Sequence, residues 1–273
     1  MPSILPAAVL PYPEIDPILI ELGPLAIRWY ALAYIAGLLL GWRYVLRLNR
    51  GPAKAMQDRQ IDDLLVWMTL GVVLGGRLGY VLFYNLAYYA QHPLDVFAVW
   101  QGGMAFHGAV LGVVLALLLF AWRNGLAPLR LGDLVSPAVP MGLFFGRIAN
   151  FINGELYGRP SEAPWAMVFP TGGPLPRHPS QLYEAGLEGA VLFLVLWWLA
   201  RRPASFARPG FLTGVFLVGY ALARGLVELF RQPDAQLGFL AGGSTMGQWL
   251  SLPMLIAGLV LIGLAFRRPK AAP

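Results

Sequence analysis

Seven apolar runs of about twenty residues each alternate along this chain with short segments that hold most of its charge. They cover approximately residues 26–46, 61–84, 102–122, 134–152, 180–199, 210–230 and 248–266. A helix rises about 1.5 Å per residue, so each run is long enough for a hydrocarbon layer of about 30 Å. Lipid offers no hydrogen-bond partners, and a helix satisfies its own backbone. Composition agrees: 58% of the 273 residues are hydrophobic and 12% are charged, against roughly 25% charged in soluble domains. The chain is therefore expected to be an all-α, polytopic membrane protein of about seven transmembrane helices. Residues 1–273 are expected to form a single integral-membrane domain.

Basic residues set the orientation. Arg43, Arg47, Arg50, Lys54 and Arg59 follow the first run, Arg123 and Arg130 the third, Arg201, Arg202 and Arg208 the fifth, and Arg267, Arg268 and Lys270 the seventh. The 85–100 connection has no Lys or Arg. Under the positive-inside rule the N-terminus lies outside and the C-terminus in the cytoplasm. The net charge of +6 then reports orientation, and no nucleic-acid partner is expected. The segment before Arg28 lacks a basic n-region, so it does not read as a signal peptide. Pro2, Pro6, Pro11, Pro13, Pro17 and Pro24 keep it from forming a long helix. The longest polar connection, 154–179, holds six prolines and reads as an external, partly ordered loop. Small-xxx-small pairs (Gly71/Gly75, Gly75/Gly79, Gly108/Gly112 and others) favour close helix packing.

Charges inside these runs are costly and mark candidate function. In the stretch 146–159, Arg147, Asn150 and Gly154 recur at i, i+3 and i+7 and share one helix face. Arg77 lies late in the second run and His107 early in the third. In the sixth, Tyr220, Arg224 and Glu228 form a stripe that Arg231 extends. Alternating run direction places Tyr30, Arg77, His107, Arg147, Asn150, Tyr220 and Arg224 in one outer half-layer. Arginines around one His and two Tyr suit a phosphate-bearing ligand. At the outer leaflet, such a ligand is a phospholipid head group. Blander readings stand beside these: Arg77 snorkels to the interface, Arg224 simply pairs with Glu228, Arg147 anchors a helix end, and Glu155 salt-bridges or caps. His107 then packs, and Tyr30 is an interface aromatic.

With no cysteine in the chain, any sulfur chemistry would use a substrate's sulfur. Three histidines in all argue against a multi-His metal site, so no metal is expected.

The motifs at 27–30, 102–108, 146–155, 178–184 and 224–234 closely resemble, in the same order, those of the prolipoprotein diacylglyceryl transferases. Ala149 and Ala105 stand where that family often has Gly and Ser or Ala, both small-residue changes. The resemblance implies transfer of the diacylglyceryl group of phosphatidylglycerol to the lipobox cysteine of a preprolipoprotein signal peptide. A thioether forms and glycerol phosphate leaves. It also implies a bacterial inner-membrane location with the site toward the periplasmic leaflet, and no cofactor. Carried onto this chain, Arg147 and Arg224 neutralise the phosphate and His107 is the candidate base. Tyr30, Asn150 and Tyr220 position the head group. Glu155, Gly158 and Glu228 support the site, with Arg77, Asn153, Gly154 and Arg231 counted among the substrate-binding set.

Two rivals share part of this pattern. A transporter for an anionic lipid predicts polar groups continuing to the cytoplasmic half. An intramembrane protease needs paired carboxylates, a Ser/His dyad or a zinc motif, and none is evident in the sequence.

Overall fold

The computed structural model describes residues 10–23, 25–233 and 238–267. Pro2, Pro6, Pro24, Asp234, Arg268 and Lys270, which entered the sequence reading, lie outside them. Among the described residues seven long helices dominate. They are α1 (Trp29–Leu48), α2 (Asp58–Tyr84), α3 (Phe106–Arg123), α4 (Pro128–Ile152), α5 (Ser180–Ala200), α6 (Phe211–Val227) and α7 (Met246–Arg267). All but α6 are long and apolar enough to cross a membrane; α6 is apolar but has 17 residues. Large apolar side chains such as Leu39, Val66, Leu70, Leu118, Val195 and Leu259 lie exposed along them. That surface suits lipid and not water.

The structure departs from the sequence reading at three boundaries. The chain is not wholly helical: Ile18–Leu22 (β1) and Leu25–Arg28 (β2) form an antiparallel hairpin, so the first helix starts at Trp29 and not near residue 26. Gly23, at φ +61°, turns the hairpin, and Arg28 is still extended. The third helix begins at Phe106 and not near residue 102, because Gly102 and Gly103 take φ of +85° and +75°. The fourth begins earlier than residue 134. Pro128 sits in its first turn, and a 3-10 turn at Ser136–Ala138 carries the helix past Pro137.

Glycine stripes set the helix contacts. An ideal Cβ at Gly71 would lie 2.7 Å from the Gly112 carbonyl oxygen, and one at Gly79 would lie 2.7 Å from the Gly108 Cα. Helices α2 and α3 thus touch backbone to backbone, as the small-residue spacing predicts. Gly214 and Gly258 join α6 to α7 in the same way, each hypothetical Cβ falling within 2.9 Å of the other's carbonyl oxygen. A Cβ at Gly37 would lie 3.0 Å from the Gly142 Cα where α1 crosses α4.

At the opposite end from the polar loop, buried Asp133 accepts hydrogen bonds from the Gly210 N–H (2.7 Å), the Thr213 N–H (2.8 Å) and the Thr213 hydroxyl (2.9 Å). A carboxylate from α4 therefore caps the N-terminus of α6.

The 154–179 connection folds over the other end. The Gly158 N–H donates to the His178 carbonyl, and Met167 and Arg177 exchange backbone hydrogen bonds. Buried Phe169 packs with Tyr12, Phe151 and Tyr157. The Tyr12 hydroxyl donates to the Phe151 carbonyl at 2.5 Å, tying the N-terminal segment to the end of α4.

Candidate functional site

Three helix ends meet beneath this loop. Arg147 lies in the last turns of α4. Arg224 lies in the last turn of α6, with Glu228 and Arg231 just beyond it. They face the first turns of α5, which begins as an α-helix (Ser180–Glu184) and loosens to a π-helix over Ala185–Val191. Such widened turns recur at functional sites because they re-aim side chains. Here the widened turn presents Glu184 and Glu188 together. Gly189 on the same turn makes this approach possible: a Cβ there would sit 2.8 Å from the Phe144 Cα of α4.

The result is a buried cluster of three guanidiniums and three carboxylates. Arg147 Nε is 2.5 Å from Glu184 Oε2, and its Nη2 is 3.7 Å from Glu188 Oε2. Arg224 Nη1 reaches Glu184 Oε1 at 3.2 Å and Glu188 Oε1 at 3.8 Å, while its Nη2 pairs closely with Glu228. Arg231 Nη1 donates to Glu184 Oε1 at 2.8 Å. Low local dielectric strengthens each attraction, and partnering offsets the cost of burial. Beside the cluster is a small cavity of about 30 Å³, lined by Arg224, Glu228, Arg231, Thr245, Met246 and Gly247.

The stretch 146–159 folds around its own amides. Asn150 and Asn153 both donate to Glu155 Oε1, at 2.9 and 3.3 Å, and Gln181 from α5 donates to the Glu155 carbonyl at 2.6 Å. Gly154 takes φ +65°, and its carbonyl accepts from the Thr171 hydroxyl. Leu156 is held at φ +59°, a conformation costly for a residue with a Cβ. Gly158 leaves no room for a Cβ, which would fall 2.6 Å from the Phe230 carbonyl oxygen. Arg159 donates to the carbonyls of Glu228 and Arg231 at 2.9 Å each, so a cation closes the C-terminal end of α6.

Tyr220, on α6, is within electrostatic reach of Glu188, Arg224 and Arg147. The Tyr30 ring packs tilted against Tyr34, with hydroxyls 3.5 Å apart, and Tyr34 in turn lies within electrostatic reach of Arg147 and Glu155. Two residues from the sequence reading stand outside the cluster. Arg77 is buried at 4% exposure and donates to the carbonyls of Asp95 (2.5 Å), Val96 (2.8 Å), Gly102 (2.6 Å) and Gly103 (3.3 Å). It fastens the connection between α2 and α3. His107 is exposed in the first turn of α3, directly after that connection, and touches the Phe106 ring. Among the described residues no hydrogen bond or ion pair joins it to Arg147 or Arg224.

The sequence reading missed Glu184 and Glu188, and with them the neutralisation of the arginines. The signal was present: two carboxylates four residues apart inside an apolar run. Paired intramembrane carboxylates, said above to be lacking, are therefore found. Each faces an arginine, which holds it as a counter-ion and leaves no free acid–base pair of the protease kind. Outside the helices, His178 Nδ1 shares a hydrogen bond with the Tyr183 hydroxyl (3.0 Å), which accepts another from Trp165 Nε1 (2.6 Å). Burial pushes the His178 pKa below its ordinary value.

Fold and site together define a multi-pass helical membrane protein with a cluster of paired arginines and carboxylates sunk into the ends of its helices. Comparison with known proteins narrows the class. The family described as prolipoprotein diacylglyceryl transferase matches residues 17–264. A protein of Paramagnetospirillum magneticum named phosphatidylglycerol–prolipoprotein diacylglyceryl transferase is 62% identical over 264 residues, covering 96% of this chain and 98% of its own. A protein of the same name from Gluconacetobacter diazotrophicus is 62% identical over 263 residues, covering 96% and 94%. This chain belongs to the prolipoprotein diacylglyceryl transferase family.

Proposed function

We infer that this chain transfers the diacylglyceryl group of phosphatidylglycerol to the cysteine thiol of a preprolipoprotein lipobox, the first step in lipoprotein maturation. The observation that carries the reading is the convergence of Arg147 and Arg224 on one buried point, from two helices whose ends the polar loop covers. A guanidinium presents paired donors matched to phosphate oxygens and stays charged when buried.

In the reaction, sulfur bonds to the terminal glycerol carbon of the diacylglyceryl group as the bond from that carbon to the phosphate oxygen breaks. The electron pair stays on the departing oxygen. Arg147 and Arg224 stabilise that growing charge in a site screened from water. Each must shift part of its contact from Glu184 and Glu228 to the phosphate. Asn150, Asn153 and Glu155 hold the end of α4 in shape, and Gly154 and Gly158 let the loop close over it. Tyr30 and Tyr220 line the approach of the head group. His107 takes the thiol proton, or an arginine-polarised phosphate oxygen accepts it instead. Arg77 holds the connection from which His107 projects.

Seven membrane crossings, an outside N-terminus and a site toward the periplasmic leaflet of the bacterial inner membrane complete the proposal. The shortness of α6 fits, because its C-terminal end stops in the polar cluster and its N-terminal end is capped by Asp133. The 154–179 loop offers the docking face for the signal peptide. The reading is tested by mixing purified protein, phosphatidylglycerol and a lipobox peptide. It predicts a peptide mass gain of one diacylglyceryl unit on cysteine. Lipid flux without a covalent product would support a transporter instead.

A further inference from the structure

Glu188 is held differently from the other two carboxylates of the cluster. Glu184 has guanidinium nitrogens at 2.5, 2.8 and 3.2 Å, and Glu228 pairs closely with Arg224. Glu188 is fully buried, and its nearest cations stand off at 3.7 and 3.8 Å. Among the described residues no group donates a hydrogen bond to either of its oxygens. The groups that face it are Arg147 from α4, Arg224 and Tyr220 from α6, Arg231 beyond α6, and Glu184 from its own helix. It thus lies between the two arginines assigned to the phosphate.

The cluster of Arg147, Arg224, Arg231, Glu184, Glu188 and Glu228 sums to zero formal charge. A phosphodiester seated on Arg147 and Arg224 adds one negative charge to a buried, balanced set. An uncompensated buried charge is strongly unfavourable. The arginines cannot become more positive, so balance is restored by adding a proton. The carboxylate with the longest ion pairs and no hydrogen bonds gives up least on accepting it.

Building on the phospholipid reading above, we propose that binding of the phosphate group is coupled to uptake of one proton by Glu188. The proton comes from solvent as the head group seats and leaves with the glycerol phosphate. Glu188 then acts as the site's charge compensator, and the thiol proton is left to His107 or to the departing phosphate. A second consequence is that lipid affinity weakens as pH rises, by up to about tenfold per unit once Glu188 is ionised in the empty site.

The test is calorimetric titration of the purified full chain with dioctanoyl phosphatidylglycerol. It is run in detergent between pH 6 and 8.5, in buffers of differing ionisation enthalpy. The wild type is expected to take up close to one proton per lipid at the upper end of this range, with affinity falling as pH rises. Glu188→Gln should bind with no proton uptake and a flat pH profile, and Glu188→Asp should restore the uptake. A wild type that binds without uptake overturns the proposal using no variant at all, and so does uptake that persists in Glu188→Gln. The proposed transfer activity is judged separately by the peptide mass gain, so transfer without proton uptake would sink the coupling alone. Absence of any lipid binding would sink both.

Discussion

Arg147 Nε lies 2.5 Å from Glu184 Oε2, across the contact between α4 and the first turns of α5. The pair shows how the cluster is poised. The arginine most exposed to an incoming head group is already occupied by a carboxylate, whose two oxygens resemble those of a phosphate. On the proposed reading the site is preorganised, with its guanidiniums aimed before lipid arrives, and binding is an exchange of one anion for another. Preorganisation lowers the ordering cost of catalysis, and the exchange limits affinity for other anions.

His107 stands outside this cluster, so its role is separable from that of the arginines. His107→Gln keeps a polar side chain of similar reach but cannot serve as a base near neutral pH. It should lower transfer about 100-fold or more while leaving phosphatidylglycerol binding near the wild-type level. Full transfer activity on a lipobox peptide would remove His107 from the mechanism and leave the phosphate oxygen as proton acceptor.

The contact of α2 with α3 depends on the absence of side chains. A Cβ at Gly112 would lie 2.9 Å from both the Gly75 Cα and the Gly71 carbonyl carbon, and nearer still to the Gly71 oxygen. Gly112→Val should destabilise the protein by about 2 kcal/mol or more through overpacking. Gly263→Ala on α7, where nothing lies within 4 Å, serves as the control and should be neutral or slightly stabilising. Thermal unfolding in detergent distinguishes the two.

Asp133→Ala leaves the Gly210 and Thr213 N–H groups without their acceptor at the start of α6. The expected loss is about 1–3 kcal/mol of stability. Because the cap lies at the far end of α6 from Arg224, lipid affinity of the folded fraction should hold. Unfolding midpoints and lipid titrations on the same preparation would show it.

The loop over the site has its own pH dependence. His178 shares a hydrogen bond with Tyr183, and burial lowers its pKa relative to the unfolded chain. The unfolded state then binds more protons, so stability rises with pH through this window. The hydrogen bonds of the loop should be fully protected above the ordinary His value of about 6.5 and weaken as pH falls below it. Hydrogen exchange across 158–178 at pH 5 and pH 7.5, corrected for intrinsic rates, measures this. His178→Phe should flatten the difference.

Much of the helical architecture was legible because lipid imposes a simple rule: an apolar run of sufficient length becomes a helix. The glycine spacings at 71, 75, 79, 108 and 112 likewise announced a close crossing. What misled was local. Gly102 and Gly103 sit in an apolar context, and their positive φ delays the start of α3 to Phe106. That Arg147 and Arg224 fall in one layer was readable from the alternating direction of the runs, with Arg231 extending the Arg224 stripe. Glu184 and Glu188 were visible only as two carboxylates inside an apolar run; the π-helical turn at Ala185–Val191 leaves no sign in a regular 3.6-residue period, so their meeting with the arginines was not legible. Arg77 shows the converse limit. A buried cation near an expected site is equally suited to carbonyl oxygens, and the fold decides which it meets.

The central claim is that the Arg147–Arg224 pair holds the lipid phosphate during transfer. It is tested most directly by the transfer rate of Arg147→Lys on phosphatidylglycerol and a lipobox peptide, in protein shown to be folded and membrane-inserted. Lysine keeps the charge but loses the paired donors. A fall of about 100-fold or more is the predicted result. Wild-type turnover would contradict the account.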